Sequence, residues 1–161
     1  MSKPRWILQA ENHIGVKEVK GATHNPVIVQ FWKDIRRRGI KDDETPWCAA
    51  FVGAMLERCG IQSSRFESAK SYLSWGEQLE RPVYGCVVVF SRDGGGHVGF
   101  VVGKDKAGNL LVLGGNQGDA VNVKAFPLSR VTGYRWPEGE PVPAGELPQG
   151  VFDVAMSRSE A

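Results

Sequence analysis

"TPWCAAFVGAMLERCG", residues 45–60, is apolar almost all the way round, with Glu57 and Arg58 held to its far end. A helix on the surface of a globular domain shows one apolar stripe and one polar face. A stretch with small and hydrophobic residues on every side instead predicts a helix buried on every side, so the rest of the fold is built around it. Thr45 as N-cap and Pro46 at the first helical position mark its start, and Gly60 marks its end. On that reading Cys48 is the third residue of the helix. It lies in the first turn, where unpaired N–H groups and the helix dipole favour an anion. A thiolate in that position is expected to have a lowered pKa, and the same N–H groups suit an oxyanion on an attacked carbonyl. Position alone leaves two readings open: a nucleophile, or one more small core residue.

Upstream, "PRWILQAENHIG" places Trp6 or Ile7, Ala10 and Ile14 at helical spacing behind Pro4. Asn25 followed by Pro26 repeats the cap-and-proline signal. Ile28, Phe31, Trp32 and Ile35 then form one apolar face, and "RRRG" ends that helix at Gly39. "SAKSYLSWG" (68–76) suggests a short fourth helix capped by Ser68. After Pro82 the period changes. "CVVVF", "HVGFVVG", "LLVLGG", "AVNVKAF" and "GYRWP" are short β-rich runs separated by Gly, Asn and Asp, which gives roughly five strands joined by hairpins. Helices first and an antiparallel sheet second make the fold class α+β. The expected division is a domain over 1–137 and a loosely ordered Pro/Gly/Glu-rich extension over 138–161, in which "VFDVAM" is able to dock.

The chain has 161 residues, enough for one domain with a proper core. No apolar run approaches the roughly 18 residues of a membrane span. The N-terminus lacks the apolar core of a secretory signal, so synthesis is expected in the cytoplasm. Three cysteines are too few and too odd for a disulfide framework, and Cys59 and Cys86 read as structural thiols. No Cys or His spacing suggests zinc. From Pro137 onward there are five acids and one base, which leaves 19 bases and 13 acids in the body. A mildly basic body suits a polyanionic partner without choosing one. The cations are scattered outside "RRR", and no aromatic–basic interleaving points to nucleic acid.

A cysteine nucleophile needs a base, normally histidine. His13 and His24 read as loop or helix-end residues. His97 is delivered by the glycine-rich turn "SRDGGGHVGFVVG" to the first position of a strand. A hairpin centred between Lys106 and Ala107 makes Val101 face Val112, Gly99 face Gly114 and His97 face Asn116. Directly opposed side chains share a face about 5 Å apart, so Asn116 is the expected orienter of the imidazole, with Gln117 as the fallback. Cysteine at a helix start, histidine at a strand start and an amide on the neighbouring strand form a known hydrolase constellation.

"TPWCAAFV", "GHVGFVVG", "LGGNQGDAVNV" and "GYRWP", in that order over residues 5–137, resemble the papain-like CHAP and NlpC/P60 group of peptidoglycan hydrolases, nearest to the forms in phage lysins and bacterial cell-wall amidases. The resemblance implies a papain-like fold with the nucleophile helix packed on an antiparallel sheet. It implies cleavage of an amide in the peptide part of peptidoglycan through a thioester acyl-enzyme. By motif match Cys48 is the nucleophile, His97 the general base and then acid, and Asn116 the orienting residue. Trp47, Gly96 and Gln117 are candidate substrate contacts, and the loops "GATHNP" and Ser91 to Gly95 are expected to flank the cleft. Glu18 is expected to be solvated. Some CHAP relatives bind calcium upstream of the cysteine, but "KDDET" (41–45) has carboxylates without EF-hand-like spacing. No metal and no other cofactor is expected.

Two alternatives stand beside hydrolysis: a transamidase or acyltransferase on the same fold, and a wall-binding module without catalysis. The expected partner is peptidoglycan, with neither nucleic acid nor membrane, and the protein is expected to be a monomer. A wall hydrolase made in the cytoplasm must be released by a phage holin or delivered by contact-dependent secretion. In the second case secretion machinery and an immunity protein are further partners.

Overall fold

The computed structural model describes residues 3–19, 24–41, 46–92 and 95–150. Pro4 opens α1 (Arg5–Glu11), which buries Trp6, Ile7 and Ala10. Ile14, expected on the same face, lies past the helix end and is 52% exposed. α2 (Pro26–Asp34) starts as the sequence predicts: the Asn25 side chain accepts a hydrogen bond from the Val27 N–H at 2.9 Å, and Pro26 opens the first turn. Ile28, Phe31 and Trp32 are buried on it. It stops short of Gly39 because Arg36 takes a left-handed conformation (φ 65°) and the Arg37 N–H turns back onto the Trp32 carbonyl at 2.8 Å.

α3 (Cys48–Glu57) is the central helix, and every residue from Cys48 to Leu56 is buried. It begins later than the cap signal predicts, so Cys48 is its first residue and not its third. Trp47 is the capping residue, and its carbonyl receives the Phe51 N–H at 2.9 Å. Thr45, the expected cap, lies outside the described residues. The reason is tertiary. The Trp47 indole is fixed in the core, beside Phe31 (ring centroids 6.1 Å apart) and with its N–H donated to Glu18 Oε1 at 2.7 Å. That anchor sets where the chain can begin to coil. Residues Ala69–Ser74 form a 3-10 helix capped by Ser68, whose hydroxyl accepts from the Lys70 N–H at 3.2 Å.

Among the described residues the sheet has six antiparallel strands: β1 (Glu77–Leu79), β2 (Val87–Arg92), β3 (Gly95–Lys104), β4 (Leu110–Gly114), β5 (Asn122–Phe126) and β6 (Val131–Trp136). Their order is β1-β6-β2-β3-β4-β5. Five were expected. The sixth, β1, is a three-residue edge strand with two exposed residues, too short to show an alternating pattern. The fold class is α+β.

The sheet is strongly curled. The rings of Phe90 on β2 and Phe126 on β5 stack with centroids 4.4 Å apart. Two strands lie between theirs, and in a flat sheet that separation is about 14 Å. Phe51 of α3 meets Phe100 of β3 on the other face, with ring centroids 6.4 Å apart. The helices therefore cover the outside of the curl, while Phe90 and Phe126 fill its inside.

Within the expected loose extension, residues 138–150 run back along the sheet. The Trp136 indole donates to the Glu140 carbonyl at 2.9 Å, and Arg5 pairs with the Glu140 carboxylate at 2.9 Å. The Lys104 N–H donates to the Pro148 carbonyl at 3.0 Å, and the Gly150 N–H to the Lys104 carbonyl at 2.8 Å. "VFDVAM" lies outside the described residues.

Candidate active site

Strand register decides where His97 sits. The predicted pairing holds at Val101↔Val112 and Phe100↔Leu113, and then the β3–β4 ladder ends. The Val101 N–H donates to the Cys86 carbonyl beside β2. Backbone N–H groups alternate sides along a strand, so the Val98 N–H points the other way, toward β4. Gly114 still lies beside Gly99; beyond it the two strands part in a fork, and Gly115 packs against Trp47 and Phe51 at the start of α3. The backbone N–H groups of Val98, Ala49 and Cys48 itself all favour the Cys48 thiolate, which sets the thiol beside Val98 of β3. Cys48 is thus wedged into the fork where β4 leaves β3, level with the residue after His97.

Two glycines make the fork possible. A Cβ on Gly114 would collide with Gln117 Oε1, and one on Gly115 would lie 2.6 Å from the Trp47 ring and 2.7 Å from Phe51 Cβ. The chain then turns sharply, with left-handed conformations at Asn116 (φ 59°), Gly118 (φ 67°) and Asp119 (φ 63°). Residues 15–18 strap this turn in place. The Gly15 N–H donates to the Val121 carbonyl (3.0 Å), the Val121 N–H to Val16 (2.8 Å), and the Glu18 N–H to Asp119 (3.0 Å).

The turn carries Gln117, not Asn116, to the imidazole. His97 Nε2 and Gln117 Oε1 are 3.0 Å apart and both residues are buried. The Gln117 amide cannot be reversed without loss. Its NH2 faces three oxygens: Val112 O at 3.2 Å, Asn122 O at 2.9 Å and Asn122 Oδ1 at 3.0 Å. Asn122 is itself fixed, because its NH2 donates to the Gln117 carbonyl at 2.8 Å. Gln117 Oε1 must therefore accept, and His97 Nε2 carries the proton. That leaves Nδ1 as the free lone pair, and it is buried with no hydrogen-bond partner. The expected His97–Asn116 contact is not made. Asn116 is 2% exposed and its Oδ1 has no partner.

Cys48 and His97 are both buried, and no hydrogen bond joins them, since His97 Nδ1 has no partner. Cys48 is 3% exposed and His97 0%. The imidazole lies flat against Phe126 (centroids 5.3 Å apart, planes 8° apart) and near Phe90 (6.2 Å). Burial drives the His97 pKa down to about 3, helped by the charges of Arg92 and Arg130 and opposed by the Gln117 bond. Burial also raises the Cys48 pKa, and the backbone N–H groups of Val98, Ala49 and Cys48 together with the charge of Arg92 offset only part of that. The lowered thiol pKa expected from helix position is outweighed by desolvation, so thiol and imidazole are both neutral here.

Of the other candidates, Trp47 is fully buried and serves as the cap and core anchor of α3. Gly96 is half-buried at the start of β3, where a Cβ would lie 3.1 Å from the Phe90 carbonyl and 3.3 Å from Lys70 Cγ. Glu18, expected to be solvated, instead holds the Trp47 indole. Asn122 was missed in the sequence, and its spacing of five from Gln117 across "GDA" is the only local signal of their reciprocal bonds. The carboxylates of "KDDET" from Asp42 to Glu44, Asp93 and Gly94 of the Ser91–Gly95 loop, and Gly21 to Thr23 of "GATHNP" lie outside the described residues.

Compared with curated proteins, the chain matches none. Compared with protein families, residues 40–116 match the model of the CHAP domain. The matched span runs from just before α3 to the end of the fork, so it contains Cys48, Gly96, His97 and Asn116, and Gln117 follows it directly. A CHAP domain is papain-like and points to peptidoglycan hydrolase or amidase activity in general, with peptidoglycan as the substrate. Over residues 40–116, just under half of its length, the chain is similar to the CHAP domain family.

Proposed function

We propose that the protein is a cysteine amidase or endopeptidase that cuts an amide in the peptide part of peptidoglycan, with Cys48 as nucleophile and His97 as base. The observation that carries this reading is the polarity of the His97 ring. Gln117 accepts from Nε2–H at 3.0 Å, which leaves the one lone pair able to take a thiol proton on Nδ1, buried and unpartnered. Gln117 is the orienting residue in this reading, in the place first expected for Asn116.

Nδ1 takes the Cys48 proton as Sγ attacks the substrate carbonyl carbon. The resulting oxyanion is stabilised by N–H groups at the start of α3. Protonated His97 gives the Nδ1 proton to the leaving amine, and a thioester remains on Cys48. Water, deprotonated at Nδ1, then attacks the thioester, releases the acid and restores the thiol. Because both groups start neutral, proton transfer accompanies attack and does not precede it. Gln117 keeps the ring oriented through each step.

Cys48→Ala is expected to abolish solubilisation of purified sacculi by the full chain, and turbidity loss measures it. Mass spectrometry of the products identifies the reaction. New free acid and amine ends mark hydrolysis, and new cross-links mark transfer to an amine. Degradation that continues at the wild-type rate in Cys48→Ala overturns the assignment.

A further inference from the structure

Two guanidinium groups lie on the His97 side of the sheet, and the chemistry above uses neither. Phe90 pairs with His97 and Arg92 with Gly95 in an unbroken β2–β3 register. Side chains alternate along a strand, so Arg92, Phe90 and His97 share one face. Arg130 comes from the opposite direction, on the short 3-10 helix Leu128–Arg130 that follows β5. It is fastened beside Arg92: its Nε donates to the Ser91 carbonyl at 3.2 Å, and the Ser91 hydroxyl donates to its carbonyl at 3.4 Å. Its guanidinium lies 5.9 Å from the Phe90 ring centroid and 5.4 Å from that of Phe126. The two rings beside the imidazole thus also carry Arg130.

Arg92 carries an unused donor. Its Nη1 is buried and has no hydrogen-bond partner. A buried guanidinium nitrogen without an acceptor is costly and uncommon. Its charge is felt at both Cys48 and His97, which places the unused donor within electrostatic range of both reacting groups. The group whose geometry matches a guanidinium fork is a carboxylate. Resting on the cysteine-hydrolase reading above, we propose that Arg92, backed by Arg130, recognises a carboxylate on the stem peptide beside the amide that Cys48 attacks. The substrate class is then the acidic stem, and a stem with that carboxylate amidated is a poor ligand.

Binding to full-length Cys48→Ala protein tests this without turnover. Two synthetic muramoyl stem peptides, identical except for a free α-carboxylate or a primary amide on the D-glutamyl residue, are titrated by calorimetry. The free acid is expected to bind about ten- to hundredfold tighter, the range for a charge-assisted pair. Adding Arg92→Gln is expected to erase the difference, and Arg92→Lys to restore part of it. Equal affinities for the two peptides in Cys48→Ala alone overturn the proposal, whether or not the Arg92 variants fold. A preference that survives Arg92→Gln in folded protein overturns it as well. Wild-type protein that leaves both peptides and sacculi uncut counts against the hydrolase reading, while the binding comparison still decides the carboxylate site.

Discussion

The His97 imidazole is held neutral by burial, and that has a measurable cost in acid. Its pKa falls from 6.5 to about 3 on folding. Between those values the unfolded chain binds a proton that the folded chain refuses. The stability contributed by the neutral ring is therefore complete above pH 6.5 and drains away as pH falls toward 3. Urea midpoints of the wild type are expected to decline over that window, with a slope of at most about 1.4 kcal/mol per pH unit from this group. His97→Gln is expected to flatten the decline, and an unchanged slope counts against a buried neutral ring. At the same scale, Gln117→Ala removes the acceptor that fixes the ring and is expected to lower kcat by about a hundredfold. Asn116→Ala, which breaks no bond to the imidazole, is expected to lower kcat far less. Sacculus-release kinetics on the two variants separate the neighbouring amides, and the reverse order restores Asn116 to the orienting role.

At the scale of the elements, the strands and helix that carry the candidate residues were legible in the sequence, and the differences share one cause. The β3–β4 register was readable from the turn "KDKAGN" because hairpin pairing is local. It holds as far as Phe100↔Leu113. It gave the wrong partner for the imidazole because the turn after Gly115, packed against Trp47 and Phe51 from far upstream in the chain, carries Gln117 to the ring instead. The start of α3 misled for the same reason: Thr45-Pro46 is a good local cap signal, but Glu18 and Phe31 decide where Trp47 must sit. Tertiary wedges leave no periodic trace. The strap at 15–18 is thus predicted to hold both halves of the site, the Trp47 cap and the Gln117 turn. Glu18→Ala leaves a buried indole N–H unpaired and is expected to cost about 1–3 kcal/mol, while Glu18→Gln keeps an acceptor and most of that stability. Urea denaturation of the two variants checks this.

For the whole molecule, the curled sheet separates the chemistry from the stabilising periphery. His97 stands near one end of β3 and Lys104 closes the other, about 20 Å away along the strand. Residues 138–150 attach at the Lys104 end, over Leu111, where Gly150 leaves no room for a side chain. Truncation after Pro137 is expected to lower Tm measurably and to leave kcat on sacculi close to wild type when both are measured below the new Tm. A large fall in kcat in truncated protein that remains folded contradicts that separation. Composition reads this segment as loose, since Pro, Gly and Glu carry little burial. Its order comes from backbone bonds to β3 and from the Arg5–Glu140 pair, which composition does not register.

The near-complete burial of the Cys48 thiol also makes admission to the site a kinetic event of its own. The chain carries a built-in clock for it, because its three thiols sit at three depths: Cys59 partly exposed, Cys48 at the head of α3, and Cys86 buried against the central strands. An alkylating probe reports on Cys59 at once and on Cys86 only when the core opens. If the fork between β3 and β4 breathes by itself, Cys48 is labelled at an intermediate rate that is insensitive to low urea. If Cys48 instead keeps pace with Cys86, entry requires global unfolding, and turnover on sacculi would be limited by that rate. The intermediate rate is the expected result, and it sets a ceiling on how fast any acyl donor reaches the sulfur.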